Sequence, residues 1–430
     1  FRMSNEASSN TQIRAALEAA GYQLIQFEPR LEGSSKYRPD VLALASNGDG
    51  DLVPWLVVEV KKGSMKTPEL ALPALMQAHE LLGTVEHYAV INGQWFRADR
   101  SLRSFEPVDG PQRPANGSNG SLADPALATS LLIDKLWFES DKARAGGVRP
   151  DFFFPSVDVI AETGLPGIET PRGGFVPVRP DVLWKARRRA LAEFAARSRF
   201  GSEQASDPVV AEAVSLLVGS KLEGAVLDPF CGTGSFLWAV MDRAVEQGTR
   251  SEFIGRDIDV NLAGLAAEIA RTAPMLAFVE AGDAFRSELP EADVIVTAPP
   301  FGGRLPERWT LLNGASTSEL EVAVVDLCLR QLRPGGRAVF QLPAGFTFRH
   351  SSASYRQFLA SEYRVSALIG LPPGSTPSTS IRTVLLVIDR AEPGDTFVAQ
   401  LGEDWRTQLN VDGAAMQAAL QHIDGARGSD

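Results

Sequence analysis

Apolar residues Ile13, Ala16, Leu17 and Ala20 recur at helical spacing, and Gly21 then supplies the stop that an α-helix takes at its C-terminus. A strand pattern follows. Tyr37-Arg38-Pro39-Asp40 leads into the apolar run Val41-Leu42-Ala43-Leu44, Asn47-Gly48-Asp49-Gly50 has turn chemistry, and Trp55-Leu56-Val57-Val58-Glu59-Val60-Lys61 is a second strand. The pair predicts a hairpin bearing Asp40, Glu59 and Lys61. Between Phe105 and Pro125 the chain turns to Pro, Gly, Asn and Ser with little to bury, which predicts a flexible linker. Helical spacing returns over residues 127–138, residues 146–180 are rich in Gly and Pro and predict irregular structure, and helices are expected over residues 182–200 and 209–217. Beyond Ala225, strand, glycine turn and helix alternate, with acids at the strand ends, which is the pattern of an α/β domain.

Composition narrows the class. With 430 residues, 44% hydrophobic and 22% charged, the chain has enough apolar material for two or three ordinary cores. Cys231 and Cys328 are too few for a disulfide framework or a four-cysteine zinc site, and the four histidines are scattered, which predicts a reducing, cytoplasmic setting. No apolar run approaches the roughly 20 residues that span a bilayer, so no membrane partner is expected. The net charge of −11 argues against indiscriminate nucleic-acid binding, but Lys185, Arg187, Arg188, Arg189, Arg197 and Arg199 in the 182–200 helix could form a local phosphate-contacting face. The alternative is a solvated helix face beside an apolar stripe. Met3 reads as an initiator, with Phe1 and Arg2 as added residues.

The candidate chemistry lies in the α/β half. Val226-Leu227-Asp228-Pro229-Phe230-Cys231-Gly232-Thr233-Gly234-Ser235-Phe236 is a strand end, a glycine turn and a helix start. Gly232 and Gly234 permit a tight turn and a close backbone approach to a cofactor, while Asp228 can organise the loop or meet a charged amino-acid group. A second strand ends at Asp257, placed for ribose hydroxyls, with Asp259 as the competing candidate; a third ends at Gly282-Asp283, where Asp283 could accept from a cofactor's adenine amine. Finally Asp293-Val294-Ile295-Val296-Thr297 runs into the corner Ala298-Pro299-Pro300-Phe301. A glycine turn alone occurs in many dinucleotide folds; the spaced acids and the Pro-Pro corner make it specific.

Together these stretches resemble the DPxxGxG and NPPF motifs of S-adenosylmethionine-dependent amino-methyltransferases, particularly the modification subunits of type I restriction enzymes. Leu332-Arg333-Pro334-Gly335-Gly336-Arg337 and the hairpin-like pair around Leu368-Ile369-Gly370-Leu371 and Thr383-Val384-Leu385-Leu386 extend the likeness, and Ser206-Asp207-Pro208 loosely matches a Thr-Pro cofactor contact. The resemblance implies S-adenosylmethionine bound by Asp228, Phe230, Gly232, Gly234, Phe236, Asp257 and Asp283, and a base pocket at Ala298, Pro299, Pro300 and Phe301. In that family the first corner residue is Asn, whose oxygen and a Pro carbonyl hold the target amine. Here it is Ala298, which implies disabled methyl transfer, either by substitution of an active enzyme or in a natural pseudo-enzyme. DPFCGTG also occurs in RNA guanine-N2 methyltransferases, an alternative family.

Near the N-terminus, Asp40, Glu59 and Lys61 resemble a PD-(D/E)xK nuclease core, and the segment through Tyr88-Ala89-Val90-Ile91-Asn92-Gly93 resembles the N-terminal domain of type I restriction subunits. The likeness implies Mg2+ on Asp40 and Glu59, with Lys61 on the same face. The expected organisation is thus an α/β protein with a nuclease-like domain (1–105), a linker (106–125), a helical connector (126–220), a Rossmann-like adenine-N6 methyltransferase domain (221–390) and a tail (391–430). The implied partners are DNA and a specificity or other restriction-system subunit; no long region after Val387 could read a target sequence, so either such a subunit supplies sequence choice, or a reading domain has been cut away, or DNA is read without a separate reader. A catalytically degenerate DNA- or cofactor-sensing component of a defence complex is the alternative of a different class.

Overall fold

A computed structural model describes residues 2–29, 37–63, 66–117, 119–147, 159–160, 166–169, 174–197, 206–377 and 379–425. The chain divides into two compact units, Phe1–Phe194 and Ala195–Asp430.

In the first unit, helix α1 (Arg2–Ala20) buries Ile13 and Leu17 in a core shared with Val41, Ala43, Leu56, Val58 and Tyr88. Strands β1 (Gln23–Phe27), β2 (Val41–Ser46), β3 (Asp51–Lys61), β4 (Glu86–Ile91), β5 (Gln94–Ala98) and β6 (Phe105–Val108) pair in that order, and β7 (Ser121–Leu122) joins β3. β1, β2 and β3 are antiparallel. A 3-10 turn at Pro68–Ala71 and helix α2 (Leu72–Leu82) then carry the chain across, so that β4 runs parallel to β3, the connection that parallel pairing demands. Asn92 (φ 49°) and Gly93 (φ 89°) close β4 onto β5; positive φ at both central residues matches the twist of the strands. Pro54 sits where β3 slips in register against Ala43 and Leu44, a place where a strand can spare an N–H.

The stretch expected as a linker is built into this unit. Beyond β6 and β7, the carbonyl of Gln112 accepts from Tyr22 Oη at 2.8 Å, its amide donates to Tyr88 Oη at 3.0 Å, and the Ser46 amide donates to the Gly117 carbonyl at 2.9 Å. Backbone groups there find partners without apolar side chains, which is why composition misreads it. The expected helical connector is also more varied. It holds α3 (Pro125–Ala145), a small antiparallel sheet of β8 (Val159–Ile160), β9 (Pro166–Glu169) and β10 (Phe175–Pro177), and α4 (Pro180–Arg197), while α5 (Pro208–Val218) belongs to the second unit.

The second unit is an eight-stranded sheet. Its strands are β11 (Gly224–Asp228), β12 (Ser251–Asp257), β13 (Ala277–Ala281), β14 (Ala292–Thr297), β17 (Leu332–Pro343), β18 (Arg364–Leu371), β19 (Thr383–Asp389) and β20 (Phe397–Gln400), ordered β13-β12-β11-β14-β17-β19-β18-β20. β13, β12, β11, β14 and β17 are mutually parallel, and β19 runs against both β17 and β18. Helices α6 (Ser235–Gln247), α7 (Val260–Ala270), α8 (Leu320–Gln331) and α9 (Ala353–Glu362) make the crossovers, and a hairpin of β15 (Arg304–Thr310) and β16 (Ser316–Glu319) is inserted before α8. Val325, Cys328 and Leu329 of α8 and Leu359 of α9 join Ile295, Phe340 and Leu386 in one core. The chain turns back from β11, so the C-terminal ends of β11, β12 and β14 open a crevice at the switch point, where such sheets bind ligands.

Residues expected as a tail complete this unit: β20 adds to β18 in parallel, and α10 (Trp405–Leu409) and α11 (Ala414–Asp424) pack on α5. Arg337 of β17 is fully buried; its Nε meets Asp389 Oδ1 at 2.6 Å, and its Nη1 meets Asp424 Oδ1 at 3.1 Å and the Val218 carbonyl at 3.2 Å.

Candidate active site

The glycine turn between β11 and α6 is held by its own backbone needs. Gly232 has φ 53° and Gly234, which caps α6, has φ 86°; both lie in the left-handed region where a side chain is strained. A Cβ on Gly234 would also collide with the Trp238 indole, whose Nε1 donates to the Thr233 carbonyl at 2.8 Å. The Gly232 amide donates to Asp257 Oδ2 at 2.8 Å and the Cys231 amide to the Arg256 carbonyl at 2.9 Å, so the turn is tied to the end of β12. Asp259, the rival to Asp257, is instead the N-cap of α7, accepting from the Asn261 amide at 2.8 Å.

Asp228 is buried at the end of β11, and its Oδ1 accepts from the Phe230 amide at 3.1 Å. Burial pushes its carboxyl up to about 7, against the opposing pull of the Phe230 amide. A desolvated carboxyl of this kind is primed to meet a cationic group, which would restore its charge.

These elements surround a cavity of about 340 Å³. Of the residues singled out from sequence, Asp228, Phe230, Gly232, Phe236, Asp257, Ala298, Pro299, Pro300 and Phe301 all line it. Gly234 and Asp283 do not: Gly234 shapes the turn from behind, and Asp283 accepts from the Phe285 amide at 2.9 Å. Phe230 leans on Phe285 (centroids 5.8 Å apart), which is edge-on to Trp309 at 5.1 Å, so the aromatic wall is braced. Ser206 also lines the cavity, whereas Asp207 caps α5 and pairs with Arg406 at 2.7 Å.

Sequence reading missed Gln341, Thr376, Pro377, Thr379 and Ile381, which also line the cavity. Gln341 did leave a signal, as the one polar residue in the run Ala338-Val339-Phe340-Gln341-Leu342 of a central strand. Its Nε2 donates to Thr376 Oγ1 at 3.0 Å and Thr383 Oγ1 at 3.3 Å.

In the first unit, Asp40, Glu59 and Lys61 do converge. Lys61 Nζ lies 2.9 Å from Glu59 Oε2 and 3.7 Å from Asp40 Oδ2, and the Val60 amide donates to Asp40 Oδ2 at 2.7 Å. Burial first, then the Asp40 charge, pushes the Glu59 carboxyl up, with Lys61 opposing. Among the described residues no group of three or more His, Cys, Asp and Glu side chains is arranged to hold a metal ion, so the structure does not support the expected Mg2+ site beyond this carboxylate pair. The phosphate-contacting helix needs correction too. Arg187 is fully buried and Arg188 stacks 5.2 Å over the Trp184 ring, leaving Lys185 and Arg189 on the exposed side; the Arg197 side chain and Arg199 fall outside the described residues. Cys231 and Cys328 are both buried and unbridged, and burial pushes both thiols up. Among the described residues no helix is long and apolar enough to cross a membrane.

A sheet with this strand order, a glycine turn after its first strand and an acid ending its second defines an S-adenosylmethionine-dependent methyltransferase fold. In agreement, the chain superposes with a TM-score of 0.53 on a structure described as a class I S-adenosylmethionine-dependent methyltransferase from Listeria monocytogenes, over 69% of this chain and 98% of that one at 16% identity. Residues 190–410 match the N-6 DNA Methylase family, and the chain belongs to that family. It is 25% identical over 195 residues to the Type I restriction enzyme EcoEI methylase subunit of Escherichia coli, covering 41% of this chain and 40% of that subunit. Against Type II methyltransferase M.TthHB8I of Thermus thermophilus the figures are 29% over 212 residues, 43% and 47%. Against a tRNA (guanine(6)-N2)-methyltransferase from the same species they are 30% over 164 residues, 34% and 44%. The chain thus spans less than half the length of each of these relatives.

Proposed function

We propose that this protein is an adenine-N6 DNA methyltransferase of a restriction-modification system, slowed by Ala298 where its relatives' motif carries Asn. The observation that carries the reading is the single cavity shared by Asp228, Asp257 and the Ala298-Pro299-Pro300-Phe301 corner, which gives cofactor and base one meeting place. The cavity fits the cofactor chemically. The two glycines allow backbone approach, the buried Asp228 carboxyl suits a cationic amino-acid group, and Asp257 suits a diol. Bound S-adenosylmethionine would supply an electrophilic methyl group. The chain's own part is to position the base: Phe301 offers a stacking face for a flipped adenine, and the Pro299 carbonyl offers an acceptor to its amine. Ala298 offers none. One missing preorganised partner typically costs about 100-fold or more in rate. A specificity or other restriction-system subunit is the proposed source of sequence choice.

The test is transfer of labelled methyl from S-adenosylmethionine to genomic DNA free of N6-methyladenine, with tRNA in parallel. Label in DNA N6-methyladenine, raised about 100-fold or more by Ala298→Asn and abolished by Asp257→Ala, is the expected result. Label confined to tRNA would move the protein to the RNA-modifying side of its relatives; cofactor binding with no transfer by either form would make it a sensor.

A second reading concerns the first unit and rests on the convergence of Asp40, Glu59 and Lys61. Two carboxylates beside a lysine at the end of a strand pair are the parts of a phosphodiesterase centre. Magnesium typically takes one or two carboxylates and fills its remaining positions with water and phosphate oxygens.

A further inference from the structure

The geometry points to Gln341 as the residue that holds the target amine in place of the missing Asn: its side-chain Oε1 accepts a hydrogen bond from the exocyclic amine of the base. This inference rests on the amino-methyltransferase reading given above.

Three observations converge on it. First, β14 and β17 run parallel, and β14 ends at Thr297 opposite Phe340, so Ala298 follows directly after the last pair and Gln341 follows Phe340 on β17. Neighbouring strands of a sheet lie about 4.8 Å apart. Gln341 therefore stands beside the position from which a carboxamide has been lost, and both residues line the cavity. Second, Gln341 is only 2% exposed in an otherwise apolar stretch. A buried carboxamide is costly unless its hydrogen bonds are made. Nε2 spends its two protons on Thr376 and Thr383, which leaves Oε1 as the acceptor. Third, the chemistry matches. An amide oxygen complements an N–H donor, and Gln exceeds Asn by one methylene, extra reach that a site on the neighbouring strand requires. Accepting one amine proton keeps the amine from turning, so that its lone pair stays directed into the cavity.

A purely structural role is the competing account, in which Gln341 only clamps the Thr376 and Thr383 hydroxyls. A double-mutant cycle separates the two. Gln341→Met, nearly isosteric, is made in the parent and in the Ala298→Asn background, and methyl transfer is measured alongside calorimetric affinity for S-adenosylmethionine. The expected result is a loss of at least about tenfold in the parent but less than about threefold in the Ala298→Asn background, with cofactor affinity unchanged in both. Equal losses in the two backgrounds, or lost cofactor binding, would assign Gln341 to the clamp and overturn the inference. A parent without transfer above the Asp257→Ala control, beside an active Ala298→Asn form, would also overturn it while leaving the proposed function standing. Inactivity of both forms would overturn both.

Discussion

The amide of Gly232 donates to Oδ2 of Asp257 at 2.8 Å, and the other carboxylate oxygen accepts from the Asp259 amide at 2.8 Å. One side chain thus joins the glycine turn to the entrance of α7. Asp257→Ala is expected to weaken S-adenosylmethionine binding by at least about tenfold, through loss of both the diol contact and the turn's anchor. Asp259→Ala removes only a helix cap, with a cost of about 1 kcal/mol in stability and little change in affinity. Titration calorimetry and urea unfolding on the pair check this; similar affinity losses in both would mean that Asp259 is the ribose acid.

Asp228 carries a pH dependence of definite sign. Because burial raises its carboxyl to about 7, its contribution to stability in the cofactor-free protein is full below the ordinary carboxylate range and is lost as pH rises through 7. A cationic ligand reverses this preference by favouring the ionised form. Affinity for S-adenosylmethionine should therefore climb about tenfold between pH 6 and 8, as the ionised fraction grows. In Asp228→Asn the slope should vanish. A parent profile as flat as that variant's would remove Asp228 from the cofactor site.

Arg337 offers a stability test. It is fully buried between Asp389 and Asp424, and the Ser366 hydroxyl also donates to Asp389, at 2.8 Å. Arg337→Met leaves Asp389 a buried charge without its cation, at a cost of about 3 kcal/mol or more. Adding Asp389→Leu to that variant should recover much of the loss, because the orphaned charge goes too. Chemical denaturation of the single and double variants would show it, and a double variant no better than the single would contradict it.

The Asp40, Glu59 and Lys61 cluster predicts nicking of supercoiled plasmid in Mg2+ or Mn2+ that disappears in Lys61→Ala. The readout is the relaxed fraction on a gel. Equal nicking by both proteins would assign the activity to a contaminant and leave the cluster a structural ion pair.

The parts of the site that the sequence made legible are those where the backbone itself is constrained. Gly232 and Gly234 are needed for their φ angles, Asp257 for an amide it must accept, and the prolines for a corner. All of these act within one or two elements, so spacing along the chain reveals them. Gln341 left only the trace of one polar residue in an apolar strand, and its place at the corner, like that of Thr376, was out of reach because it depends on the strand order β14-β17-β19, which no local pattern encodes. Arg187 shows the opposite error. Its charge pattern reads as a solvated face, yet the side chain is fully buried, since a guanidinium can be taken inside when the surrounding chain provides acceptors. The early strands were legible as elements. The linker was not, because hydrogen bonding rather than hydrophobicity orders it.

The guanidinium of Arg337 reaches a strand in the middle of the sheet and a carboxylate on the final described helix at once. The segment after residue 390 is therefore a fastening, and the smallest excisable piece of the methyltransferase unit runs through Gly425. A fragment stopped at 390 would expose the β18 edge that β20 covers, strip Arg337 of one of its two carboxylates and leave Asp207 without Arg406. Anyone dissecting this protein should expect such a fragment to aggregate, even though every motif that reads as catalytic would still be inside it.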